Sequence, residues 1–150
     1  MNNFFGKTNG RIHILHLRNG EDVLEEFLKF LQREKIKNGV VISGIGTLCA
    51  CSFHGVVKGS LPAVDHFYKM ENVSAEVSGM SGIIAEGQPH LHMVVTIFDE
   101  NFKTYAAHIE PGCKVLCLAE IAVLEMEEVE MSRVKDEDGI FQLVGRAMSE

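Results

Sequence analysis

Only one stretch of this chain, from Val23 to Leu31, carries helical spacing; from Val40 onward the apolar residues recur as strands do. That imbalance limits the architecture more than any composition figure. Val23, Leu24, Phe27, Leu28 and Leu31 form a stripe on one side of a 3.6-residue period. Asn19 is a plausible cap, Glu21 and Asp22 suit the positive start, and Arg33, Lys35 and Lys37 suit the negative end. Asn38-Gly39 then stops a helix of about 21–37. Ahead of it, Arg11 to Arg18 alternates as a strand. After it come runs at Val40–Ile45, Leu48–Val57, Asp65–Met70, a bulged Val73–Ile84, Leu91–Phe98, Lys103–Ile109, Val115–Met126 and Phe141–Val144. The expectation is an α+β fold: a large, mainly antiparallel sheet, one principal amphipathic helix, and short flanking helices or turns. The 150 residues suit a single domain, with its core at about 11–144.

Two of the strand runs are related by symmetry. His92 and His108 each lie eight residues from Glu100, in the polar stretch Asp99-Glu100-Asn101. A hairpin centred on Glu100 sets these histidines opposite each other on one face. His90, two residues before His92, shares that face because strand side chains alternate. Opposite pairs lie about 5 Å apart and diagonal pairs about 7–8 Å, within reach of one shared ion. Three imidazoles with a fourth position open is the ligand set of a catalytic zinc site. The same residues also read as partly buried strand histidines bonded to neighbours. Pro89 before the pair and Pro111-Gly112 after His108 mark the strand ends.

The other histidines offer less. His54 and His66 have no partner by spacing, and His13 and His16, three apart, fall on opposite faces of a strand. Among the carboxylates, Glu76 inside an apolar strand and Glu110 near the histidine strand end are the candidates for a general acid or base, each also readable as solvated or salt-bridged. The acidic run Glu125 to Glu130 reads as an exposed edge or turn. Gly6-Lys7-Thr8 lacks the earlier glycine of a phosphate-binding loop. Ser43-Gly44-Ile45-Gly46 lacks the third glycine of a dinucleotide fingerprint. Its glycines, like Gly79 and Gly82, read as bends or close backbone approaches.

A net charge of −7 argues against nonspecific grip on nucleic acid or an anionic membrane. No apolar run reaches the roughly 20 residues that span a bilayer. The first residues lack the pattern of a signal peptide, so the expected location is cytoplasmic. Four cysteines without CxxC spacing fit reduced, mostly buried thiols.

The order of motifs resembles the plants and prokaryotes conserved (PPC) domain family, also called DUF296. The residues that carry this are Arg11, Gly20-Glu21, Ser43-Gly44-Ile45-Gly46, Glu76-Val77-Ser78-Gly79-Met80-Ser81-Gly82, Pro89-His90-Leu91-His92, Ala107-His108-Ile109 with Gly112, and Ser132-Arg133-Val134 with Asp138-Gly139. They span about Arg11 to Val144. The resemblance implies a homotrimer and a metal, zinc by preference, held by His90, His92 and His108. It further implies water or a small anionic ligand in the open position. Plant members carry an AT-hook that grips DNA; this sequence shows none, so no DNA-binding residues are assigned. Ala106-Ala107 stands where the family commonly has two glycines, which narrows close approach beside His108.

The expected function is therefore a zinc-binding, homotrimeric protein without a defined reaction. Two alternatives stay open. One is a zinc-dependent hydrolase or lyase acting on a small carbonyl compound, by similarity of fold to acetolactate decarboxylases. The other is a DNA-associated regulatory module.

Overall fold

The computed structural model describes residues 11–147. The amino-terminal segment, including Gly6-Lys7-Thr8 and the start read for a signal peptide, lies outside the described residues. Strand β1 (Ile12–Arg18) leads into helix α1 (Val23–Glu34). Strands β2 (Gly39–Val56), β3 (Asp65–Ala85), β4 (Gln88–Ile97), β5 (Lys103–Ile109) and β6 (Lys114–Glu125) follow, then β7 (Val129–Lys135) and β8 (Phe141–Ala147). All named pairings are antiparallel. Six strands form one sheet in the order β1-β6-β2-β3-β4-β5, and β7 and β8 form a separate two-stranded sheet.

The expectation of an α+β domain with flanking helices is corrected by this architecture. Strand makes up 65% of the structure and helix 9%, all of it in α1. The cause is the length of the strands. Val40–Ile45 and Leu48–Val57 are one strand, as are Asp65–Met70 and Val73–Ile84, because the irregularity where Leu48 and Ala50 face Ala75 and Glu71 bends β2 and β3 without ending them. The acidic run ending at Glu130 runs into a strand, β7, which the sequence reading treated as an edge or turn.

The long β2 organises the sheet. Along most of its length it lies between β3 and β6. At its far end β6 gives way to β5, which pairs Phe53 with Ile109 and His54 with His108. The sheet thus curls until β5 meets β2. Its inner face buries Phe53, Val77, Leu91, Met93, Val95, Ile109, Val115 and Ile121, with Val23, Phe27 and Leu31 of α1 in the same core. Burying each such side chain contributes roughly 1.5–3 kcal/mol.

Helix α1 is shorter than expected and starts at a different cap. Asp22, not Asn19, accepts from the backbone N–H groups of Leu24 (3.2 Å) and Glu25 (3.1 Å). Its other oxygen accepts from Gly112 N–H at 2.8 Å and lies 3.4 Å from Lys114 Nζ. Asn19 instead donates to the carbonyl of Leu116 at 2.5 Å. The helix ends at Lys35 in left-handed conformation, φ 59°, before Asn38-Gly39 is reached. Asn38 takes a different role, donating to Val129 O (2.8 Å) and accepting from Met131 N–H (3.2 Å), which docks β7 on the main sheet.

All four cysteines are free thiols. Burial pushes Cys51 up to about 12 and Cys113 up to about 11, so neither ionises near neutral pH. Among the described residues no helix is long and apolar enough to cross a membrane.

Because Asp22 is buried and joins the helix start to the β5–β6 turn, its loss removes a cap and leaves Gly112 N–H without its acceptor. Asp22→Ala is expected to cost about 2 kcal/mol in urea unfolding, and Asp22→Asn distinctly less. Equal stability of D22A and the unaltered protein would show that the cap carries nothing.

A candidate metal centre on the sheet

The β4–β5 hairpin has the register that symmetry about Glu100 requires. His92 pairs with His108, and the ladder runs to Ile97 opposite Lys103. Leu91 and Met93 point into the core, so His90 and His92 lie on the outer face of the curled sheet. His90 Nε2 and His92 Nε2 face each other at 3.0 Å. The His108 ring centroid is 4.6 Å from that of His90 and 5.1 Å from that of His92. One nitrogen from each of the three falls within 4.8 Å of the others.

A glycine makes this approach possible. Gly82 pairs with Leu91 on β4, and a Cβ there would meet the His90 carbonyl oxygen at 2.1 Å and a Leu91 methyl at 2.8 Å. Both obstacles are fixed, one being backbone. Any larger residue at 82 would push β4 away at the position of His90.

The electrostatics favour uncharged rings. Burial lowers the pKa of His90, and the charges of Arg133, His92 and His54 lower it further. For His92 the causes are burial and then His54. Burial is again the largest cause for His108, which falls to about 4, with His90, His54, His92 and Arg133 adding to it. Neutral imidazole is the form that ligates a metal, so binding would displace few protons at neutral pH.

The donor set fits an ion. Around zinc with Zn–N of about 2.1 Å, tetrahedral ligands lie about 3.4 Å apart, against 3.0 Å between His90 and His92 Nε2 and under 4.8 Å to His108. Three neutral nitrogens suit zinc, and also copper, nickel or iron. A cleft of about 370 Å³ lies beside His92, lined in part by Ile42, Ser81, Val94 and Ala106. A larger cleft, about 710 Å³, lies elsewhere, beside Lys37, Asn38, Glu130 and Arg146.

The two carboxylate candidates part company. Glu76 is exposed and pairs with Thr47 and Thr96. Thr96 stands four residues from His92, about 13 Å along the strand, so Glu76 is away from the histidines. Glu110 is close: its carboxylate is 2.7 Å from His54 Nδ1, and the His54 ring lies 4.5 Å from that of His108. His54, His108 and Glu110 also bring ligand atoms within 4.8 Å of one another. The sequence reading gave His54 no partner, since its neighbour comes from the β2–β5 pairing and no local spacing signals that. His66 is exposed beside Tyr68, while His13 meets Glu125 at 3.1 Å on the far side of the sheet order.

Replacing Gly82 is the sharpest test of how the hairpin is held. Gly82→Ala is expected to lower stability by about 1–3 kcal/mol in urea unfolding and to disturb the His90 ring signal in NMR spectra. An unchanged His90 resonance would contradict the close approach.

Comparison with known proteins bears on the fold and the family. Bifunctional GlmU proteins from two Synechococcus strains are 26% identical over 126 residues, 84% of this chain. The chain spans about a fifth of their length, 19% in the first. Among solved structures, the metal-containing protein AF0104 of Archaeoglobus fulgidus superposes with a TM-score of 0.78 at 21% identity, over 96% of this chain and 99% of that one. A plant- and prokaryote-conserved protein of Pyrococcus horikoshii gives 0.72 at 20% identity, over 100% and 98%. A Bacteroides thetaiotaomicron protein named as DNA-binding gives 0.68 at 20% identity, over 95% and 98%. The family model of the Plants and Prokaryotes Conserved (PCC) domain matches residues 5–127, most of the sequence, and the chain belongs to that family.

Proposed function

We propose that this protein binds a divalent metal, zinc by preference, through His90, His92 and His108. The convergence of three uncharged imidazoles on one point of a rigid hairpin carries the reading. The metal-containing archaeal neighbour supports it. When bound, such an ion supplies a Lewis acid with one position open to water or a small anion. The chain's part is to hold the rings uncharged, and to fix their spacing through the His92–His108 register and the bare backbone of Gly82.

The binding protein is a homotrimer in this reading. Support comes from apolar side chains left on the outer face of the sheet: Ile12 and Ile14 on β1, Ile42 and Ile45 on β2, and Leu116 and Leu118 on β6. Together they make a patch of the kind that packs against another subunit.

One observation favours an enzyme, a hydrolase or lyase acting on a small carbonyl compound. Glu110 fixes the His54 ring through Nδ1, right beside His108. His54 is thereby placed to hold or pass a proton at Nε2 near the metal ligands. A DNA-associated role has the neighbour's name in its favour and the net charge of −7 against it.

Protein purified without a polyhistidine tag should carry about one zinc per chain by elemental analysis. His92→Ala and His108→Ala should each weaken zinc binding about 100-fold or more while far-UV circular dichroism stays unchanged. Failure to take up zinc, cobalt or nickel on reconstitution would end the metal reading. For the assembly, light scattering at micromolar concentration should give the trimer mass; a clean monomer contradicts it.

A further inference from the structure

Among the described residues, Arg133 Nε takes no part in the fold's own polar pairing. Its Nε is buried and has no hydrogen-bond partner, and among the described residues no carboxylate forms an ion pair with it. A buried guanidinium N–H without an acceptor is costly, and its persistence calls for an acceptor.

The fold directs this group toward the histidines. On β7, Val129 and Met131 belong to a small core with Ile83 and Ala85 of β3. Asn38 holds them there through its bonds to Val129 and Met131. Residue 133 lies one step beyond Met131 on the same face of β7, about 6.8 Å further along. On β3, Ile83 pairs with His90 and Ser81 with His92. The positive charge of Arg133 is near enough to be felt at both His90 and His108. Glu110, the carboxylate beside His54 and His108, is engaged by His54 at 2.7 Å. The fold thus sets a cation beside the histidine centre, with the Glu110 carboxylate turned to His54.

We propose that Arg133 is the specificity-determining residue of this site, and that its guanidinium holds a small oxoanion, a carboxylate or a phosphate, beside the three-histidine centre. The assignment rests on the reading of His90, His92 and His108 as metal ligands. It adds the charge of the ligand and the residue that selects it. Guanidinium N–H groups match the paired oxygens of either anion, and an ammonium does not.

Cobalt(II) substitution separates the two claims, since its visible bands report both ion binding and changes at an open position. The full chain is loaded with cobalt(II) and titrated with sodium acetate and, separately, inorganic phosphate. At least one anion should change the bands, and the one with the lower midpoint identifies the class. Arg133→Met should keep the anion-free bands and raise the midpoint about 10- to 100-fold. Should R133M lose its circular dichroism signal, Arg133→Lys serves in its place; it keeps a positive charge but not the fork, and its midpoint should also rise. No cobalt bands at all would remove the metal reading and this assignment with it. Bands that neither anion changes, or variant midpoints equal to that of the unaltered protein, would overturn the role of Arg133 and leave the metal site standing.

Discussion

The ladder that β2 shares among three neighbours is the constraint from which the rest follows. A strand has two edges. Here one edge is given to β3, and the other is divided between β6 and β5. That division forces the sheet to curl, and the curl closes an apolar interior around Phe53. It also brings residues of β2, β4 and β5 onto one patch of the outer surface. His54 beside His108, and His108 opposite His92, are consequences of backbone hydrogen bonding. Side-chain attraction is not needed to explain them.

How much of this was legible depends on the range of the interaction responsible. The β4–β5 hairpin was readable because its register is set locally, by two runs equidistant from Glu100. The helix was readable from its stripe, yet its cap was not. Asn19 and Asp22 are both competent caps by residue type, and the choice is made by Gly112 and Lys114, some ninety residues away. Strand ends were misread for a similar reason. The irregularity where Leu48 and Ala50 face Ala75 and Glu71 looks like a break in a linear pattern, but both strands are continuous across it. The extra helices expected around the sheet have no counterpart among the described residues, since a curled sheet covers part of its own apolar face. His54 stayed hidden because nothing in its neighbourhood announces β5.

The site illustrates how burial and charge act together on imidazole. Each ring in the cluster has its charged form disfavoured first by desolvation and then by other rings, with Arg133 adding to the effect at two of them. Three histidines with ring centroids about 5 Å apart would otherwise repel one another when protonated. Keeping them neutral lets the hairpin tolerate their proximity. The cation from β7 sharpens the same preference.

The first strand has a bearing on the order in which the molecule can be built. Ile12 of β1 lies against Leu124 of β6, so the edge of the sheet joins residues from nearly opposite ends of the described chain. Strands β2 to β5, which carry all the cluster histidines, are consecutive. A chain emerging from the ribosome can therefore close its histidine patch while β1 still waits for a neighbour. The docking of that edge comes later, and the cluster histidines sit in the part that can be finished first.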